Sequence, residues 1–119
     1  MLRTYLRSKL HKATVTAVEL EYEGSLTIAR DLMEAVDIAP FEKVMVANLE
    51  NGERFETYAI PGQPGSGTIV LNGATAHKGS VGDRVIIFTF CELDESETAK
   101  HAPKVLVLDE SNRPLKKGV

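Results

Sequence analysis

The pair Gly24-Ser25 carries the sharpest chemical possibility in this chain. A serine hydroxyl can attack the carbonyl carbon of the residue before it through a five-membered ring, and collapse of that ring exchanges a peptide bond for an ester. An amide is more stable than an ester, so the exchange runs uphill unless the backbone is strained. Glycine before the serine is the residue that tolerates strained geometry and close approach. Taken alone, the pair reads more simply as a turn with a helix-capping serine. A hydrolase triad of Ser25 with His11 or His77 is rejected, because the G-x-S-x-G pattern is absent and no Asp stands in a nucleophile-elbow context.

The flanking residues decide between the two readings. Tyr22-Glu23-Gly24-Ser25, with Lys9 and His11 upstream, resembles the self-cleavage site of the pyruvoyl-dependent aspartate 1-decarboxylases. Arg54, Thr57-Tyr58-Ala59-Ile60 and Asn72-Gly73-Ala74-Thr75-Ala76-His77 resemble that family's active-site segments, in the same order and spacing. The likeness runs from Met1 to about Cys91 and weakens in the tail. Where this chain has Thr75, the family commonly has Ala.

The resemblance implies a homotetramer of small, closed, six-stranded double-psi β-barrels, mainly β with one or two short helices, whose sites lie between subunits. It implies cleavage into a β chain, residues 1–24, and an α chain, residues 25–119. After the ester forms, elimination and loss of ammonia would leave a pyruvoyl group at residue 25 and no role for a metal. That ketone would condense with the amine of L-aspartate to a Schiff base, accept the electrons left by carbon dioxide and release β-alanine, which feeds pantothenate and coenzyme A synthesis.

Residue roles follow from the same likeness. Tyr58 is implied as the proton donor; a phenol with a pKa of about 10 keeps its proton at neutral pH. Thr57 is implied in substrate binding and in steadying the oxyanion of cleavage, although neighbours on a regular strand point to opposite faces. Lys9 and Arg54 are implied as cationic partners of a dicarboxylate, Arg by a two-point grip and Lys as a point charge. Asn72, Gly73, Ala74 and Thr75 are implied as a substrate-binding loop, with Gly73 permitting close approach. Tyr22 and His11 are implied as assistants of cleavage at Gly24 and Ser25, though packing explains Tyr22 as well. His77 reads as a structural hydrogen-bonder and Cys91 as core filler.

These groups must be positioned by short elements. Residues 13–22, rich in Thr and Val, read as a strand, with another possible over 2–6. After the break at 23–25, Ser25 or Thr27 could lead into a helix over about 29–37, whose Ala29, Leu32, Met33 and Val36 share a face; Pro40 limits it. Strands are expected over 43–49 and 53–60, joined by the hairpin signal Asn51-Gly52. Residues 61–67 read as loop, 68–71 as a short buried strand and 72–79 as a second loop. Residues 84–91 form the most apolar strand and 104–108 a last one. Residues 94–102 read as a linker or helical turn, and the tail from Asp109 as flexible. Strand after strand with little helix suggests a small closed barrel.

Composition agrees with one compact domain. The chain has 119 residues, 43% hydrophobic and 26% charged, with formal charge -3. The acidic balance argues against a nucleic-acid partner. A single cysteine can form no internal disulfide and no zinc spacing is present. With no apolar run behind the N-terminal basic residues and none long enough to span a bilayer, a soluble cytoplasmic protein is expected. A competing reading is a non-catalytic small β-barrel binding or scaffolding module; a third is a pyruvoyl enzyme acting on another acidic amino acid.

Overall fold

The computed structural model describes residues 1–115. Strand follows strand: β1 (Arg3–Thr14), β2 (Ala17–Glu19), β3 (Ser25–Ala29), helix α1 (Arg30–Ala35), β4 (Lys43–Asn48), β5 (Arg54–Gly62), β6 (Ile69–Asn72), a 3-10 helix (Gly73–Lys78), β7 (Arg84–Leu93), helix α2 (Glu95–Thr98) and β8 (Lys104–Val107). The mainly β architecture with two short α-helices matches the expectation. The described strands number eight, where the resemblance implies six.

They form one mixed sheet in the order β2-β6-β3-β5-β4-β7-β1-β8. The β2–β6, β3–β5 and β1–β8 pairings are parallel, the others antiparallel. Strand β1 lies near one end of this order, while β2, a few residues on, forms the other end. Between them Val15 N–H donates to Asp83 O at 2.8 Å and Thr16 N–H to Ile69 O at 2.8 Å. One segment therefore touches both ends of the ladder, and the sheet curls as a small β-barrel requires.

The core follows the two-residue alternation of strands. Val44, Val46, Val85 and Ile87 are buried, and Leu26, Ile28, Ile69 and Leu71 add the β3–β6 side. Along β1 and just past its end the buried residues shift parity, from Ser8 and Leu10 to Ala13 and Val15. The register with β7 slips between Leu10 and Ala13, where Lys12 takes φ +65°, so a β-bulge turns the strand's inner face.

Several local expectations are corrected. Residues 2–6 and the start of 13–22 fuse into the single strand β1, and a break at Val15-Thr16 and the turn at Leu20 divide what read as one run. Ser25 opens a strand and caps no helix, because β3 is sandwiched between β5 and β6. Helix α1 stops at Ala35, well before Pro40. Asp37 at φ +60° lets its N–H reach Glu34 O at 3.2 Å and Ile38 N–H reach Met33 O at 2.8 Å, a Schellman ending. Its expected apolar face is correct: Ala29, Leu32, Met33 and Val36 are all buried. Strand β5 continues through Pro61 and Gly62, paired with Ile28 and Ala29. Asn72 ends β6, and the loop expected after it is a 3-10 helix.

The tail is ordered as far as it is described. Asn112, buried and at φ +61°, accepts from Thr14 N–H at 2.7 Å and donates to Thr14 O at 2.8 Å and Gly67 O at 2.7 Å. Leu108 bridges Pro114. These contacts tie residues 109–115, which read as a flexible tail, to the rest of the fold, and the remainder of that tail, 116–119, lies outside the described residues.

Candidate active site

Ser25 is the first residue of β3 and is buried. Its ladder partner in β6 is Asn72. The Asn72 amide donates to Ser25 Oγ at 3.1 Å and to Thr27 Oγ1 at 2.8 Å. Ser25 Oγ donates in turn to Glu23 O at 3.2 Å. A buried hydroxyl held by an amide donor on one side and a backbone acceptor on the other has a fixed direction, which a nucleophile requires.

The backbone around this hydroxyl is shaped by Gly73, not by Gly24. Gly73 has φ +65°, and a Cβ there would lie 2.6 Å from Gly24 N. At Gly24 an added Cβ would meet nothing within 4 Å, and φ is outside the left-handed region. The positive φ and the close backbone approach thus lie at Gly73, across the site from Gly24.

Tyr58 shares a cavity of about 310 Å³ with Ser25, lined also by Tyr22, Glu23, Phe41 and Ile60. The parallel β3–β5 pairing, with Leu26 opposite Ala59, brings the middle of β5 beside the start of β3. Thr57 sits opposite Val44 and is absent from that lining, as strand alternation requires. Thr75 is buried and Ala74 exposed on the 3-10 helix that follows Asn72. The Thr75 hydroxyl lies 2.7 Å from Asn72 O and 3.4 Å from Ser25 O.

Lys9 and Arg54 stand apart from this group. They line a second cavity of about 230 Å³, and the Arg54 guanidinium lies 5.4 Å above the Phe88 ring. His11 belongs to β1, opposite Val107, and does not line the Ser25 cavity. Its Nδ1 is buried without a partner among the described residues, and burial, then Lys9 and Lys12, push its pKa below the usual imidazole value. A larger groove of about 420 Å³ across β4 and β7 contains none of the expected residues.

Three contributors escaped sequence reasoning. Thr27 shares the Asn72 amide, and an i, i+2 relation to Ser25 would have exposed it had 25–29 been read as strand. Phe41 packs its ring 6.2 Å from that of Tyr58 while 74% exposed and at φ +70°. Arg7 was the third: it pairs with Glu42 and Asp37, bracing the turn that carries Phe41. The only sequence signal was an apolar aromatic set directly after Pro40.

The aspartate decarboxylase family profile matches residues 1–115. The chain belongs to the aspartate decarboxylase family. Among its relatives, a protein of Syntrophobacter fumaroxidans named aspartate 1-decarboxylase is 54% identical over 119 residues, covering 100% of this chain and 96% of that protein. One of Thermoanaerobacter pseudethanolicus with the same name is 50% identical over 115 residues, covering 97% and 98%. One of Staphylococcus aureus, also so named, is 54% identical over 112 residues, covering 94% and 88%. The match to the aspartate decarboxylase family spans every site residue discussed above, and a non-catalytic module is not favoured. Among the described residues no helix is long and apolar enough to cross a membrane.

Proposed function

We propose that this chain cuts itself between Gly24 and Ser25 and uses the resulting pyruvoyl group to convert L-aspartate to β-alanine and carbon dioxide. The observation that carries the reading is the buried Ser25 hydroxyl, oriented by the Asn72 amide at 3.1 Å beside Tyr58, in a chain of this family.

The residues fit such a group. Ser25 Oγ is directed by Asn72 and Glu23, and residue 25 opens onto a cavity of about 310 Å³ that a small amino acid could enter. The pyruvoyl group, once formed, supplies an electrophilic ketone for the substrate amine and a place for the electron pair left by carbon dioxide. Tyr58 holds the proton that the substrate carbon must receive. Asn72 keeps the reacting residue in place, and Gly73 with Ala74 and Thr75 forms the wall beside it. Thr57 serves cleavage or substrate from the opposite face of β5. Tyr22 borders the entrance to the cavity, and His11 acts from β1.

Lys9 and Arg54 bind the substrate carboxylates in this reading. Within one chain they line a different cavity from Ser25 and Tyr58, which supports a site completed by a neighbouring copy; the homotetramer itself is what the family likeness implies. Two chains 1–24 and 25–119 are expected after processing, in a soluble, cytoplasmic enzyme.

Intact-mass analysis of purified protein after warm incubation tests the reading. Two pieces split after Gly24 are expected, the larger lighter than its serine-started form by one ammonia. Borohydride should then attach labelled aspartate to residue 25. A chain that stays whole, or a matured sample that captures no aspartate, overturns it.

A further inference from the structure

Thr75 is a buried hydroxyl with one proton and two acceptors. Asn72 O lies at 2.7 Å and Ser25 O at 3.4 Å. In the resting chain the shorter contact holds the proton, since O–H···O bonds weaken beyond about 3.0 Å. The side chain is 9% exposed, so water does not compete freely for either oxygen. A hydroxyl needs only to rotate about its C–O bond to change acceptor. If negative charge develops on Ser25 O, the proton has a better partner within reach, and burial of the Thr75 hydroxyl strengthens that preference.

Self-processing of the kind proposed above places charge on that atom. Attack of Ser25 Oγ on the Gly24 carbonyl forms the C–O bond and breaks the C–N bond, and the hydroxyl proton ends on the freed nitrogen. A base then takes the Cα proton of residue 25, and the electron pair moves onto the Ser25 carbonyl oxygen as an enolate. The pair returns to form Cα=Cβ as the Cβ–Oγ bond breaks, and Gly24 leaves as a carboxylate. Water adds to the resulting enamine after tautomerisation, and ammonia departs to leave the ketone. Water or hydroxide serves as the base, so the balance needs no further reactant.

We propose that the Thr75 hydroxyl turns from Asn72 O to Ser25 O during the elimination and stabilises the enolate, making Thr75 a catalytic residue of maturation. The inference rests on the self-processing reading. It assigns Thr75 to the elimination and not to the acyl shift, because the Gly24 carbonyl, where the oxyanion of the shift forms, is not among its partners.

Freshly purified full-length precursors of the parent, Thr75→Ser, Thr75→Ala and Thr75→Val are followed by intact mass, with and without hydroxylamine, which cleaves esters and spares amides. Loss of the hydroxyl in Thr75→Ala and Thr75→Val should slow appearance of the pyruvoyl-started chain roughly tenfold. The hydroxylamine-sensitive fraction should rise, and chains starting with intact serine, released by ester hydrolysis, should accumulate. Thr75→Ser should mature within about twofold of the parent. Thr75→Val keeps the shape, so a defect shared with Thr75→Ala and absent from Thr75→Ser reports the hydroxyl. Maturation of Thr75→Ala at the parental rate overturns the proposal, as does slowing without ester accumulation, which would put the hydroxyl before the elimination. A parent that never cleaves overturns the processing reading and this inference together; a maturing parent beside an equally fast Thr75→Ala overturns this inference alone.

Discussion

Gly73 presses its α-carbon into the backbone of Gly24. A side chain there would meet Gly24 N at 2.6 Å, Gly24 Cα at 2.7 Å and Tyr22 O at 2.8 Å. The turn after β6 thus forms a fixed wall behind the Gly24-Ser25 bond, and only a residue without a Cβ can occupy it at φ +65°.

Gly73→Ala should therefore lose stability and processing together. Left-handed strain plus contact with backbone atoms costs about 1–3 kcal/mol. Urea unfolding of the substitution in a Ser25→Ala background, which keeps all molecules uncut, measures the first effect. Intact mass in the parental background measures the second. A midpoint unchanged by Gly73→Ala would mean that the wall yields.

Tyr58→Phe should still cleave but turn over poorly. The phenol lies in the Ser25 cavity, and loss of a positioned proton donor lowers rate by roughly 10²–10⁴-fold. Near-parental kcat after complete maturation would clear Tyr58 of that role.

Phe41 pays a conformational penalty where it packs on Tyr58, since φ +70° disfavours any residue with a bulky Cβ substituent. Phe41→Asn should raise stability by about 1 kcal/mol, because Asn tolerates this region. The same change should loosen Tyr58 and lower kcat more than it raises KM. Thermal unfolding and steady-state kinetics separate the two; a destabilised Phe41→Asn with normal kcat would refute the argument.

His11 makes stability depend on pH. Burial, then Lys9 and Lys12, hold its pKa below the usual imidazole value. The unfolded chain therefore binds the proton at a higher pH than the folded one. The contribution is complete above the unfolded pKa and fades as pH falls through the folded pKa. Stability should drop as pH falls below the ordinary imidazole pKa of about 6.5, and His11→Gln should flatten that slope. An identical slope in both proteins would exclude His11 as its source.

Asn112→Ala should cost about 2–3 kcal/mol, because one side chain serves Thr14 N, Thr14 O and Gly67 O and none of these gains another partner from alanine. Denaturant titration measures the loss. A change below about 0.5 kcal/mol would show that water replaces the amide.

Much of this arrangement was legible in the residues themselves. Alternation in β4 and β7 and the apolar face of α1 were readable because burial imposes period on one element at a time. Strand β3 was not, since Ser25 and Thr27 are polar on a strand covered from both sides, and only the partners in β5 and β6 make that tolerable. A close approach at Gly73 is legible from the family likeness, but its partner, the Gly24 backbone, lies 49 residues away and is invisible to local spacing. The tail looked loose by composition, yet Asn112 is fixed by partners far away in the chain.

Among the described residues strand β1 pairs with segments that follow residue 25, among them β7 along one edge, β8 along the other, and Asn112 at Thr14. Scission after Gly24 would consequently turn folding from a unimolecular into a bimolecular event. The native subunit would survive as a complex of two peptides, and dilution after denaturation would trap the halves apart at a rate set by mass action. The order of events then matters: the molecule must fold first and be cut afterwards.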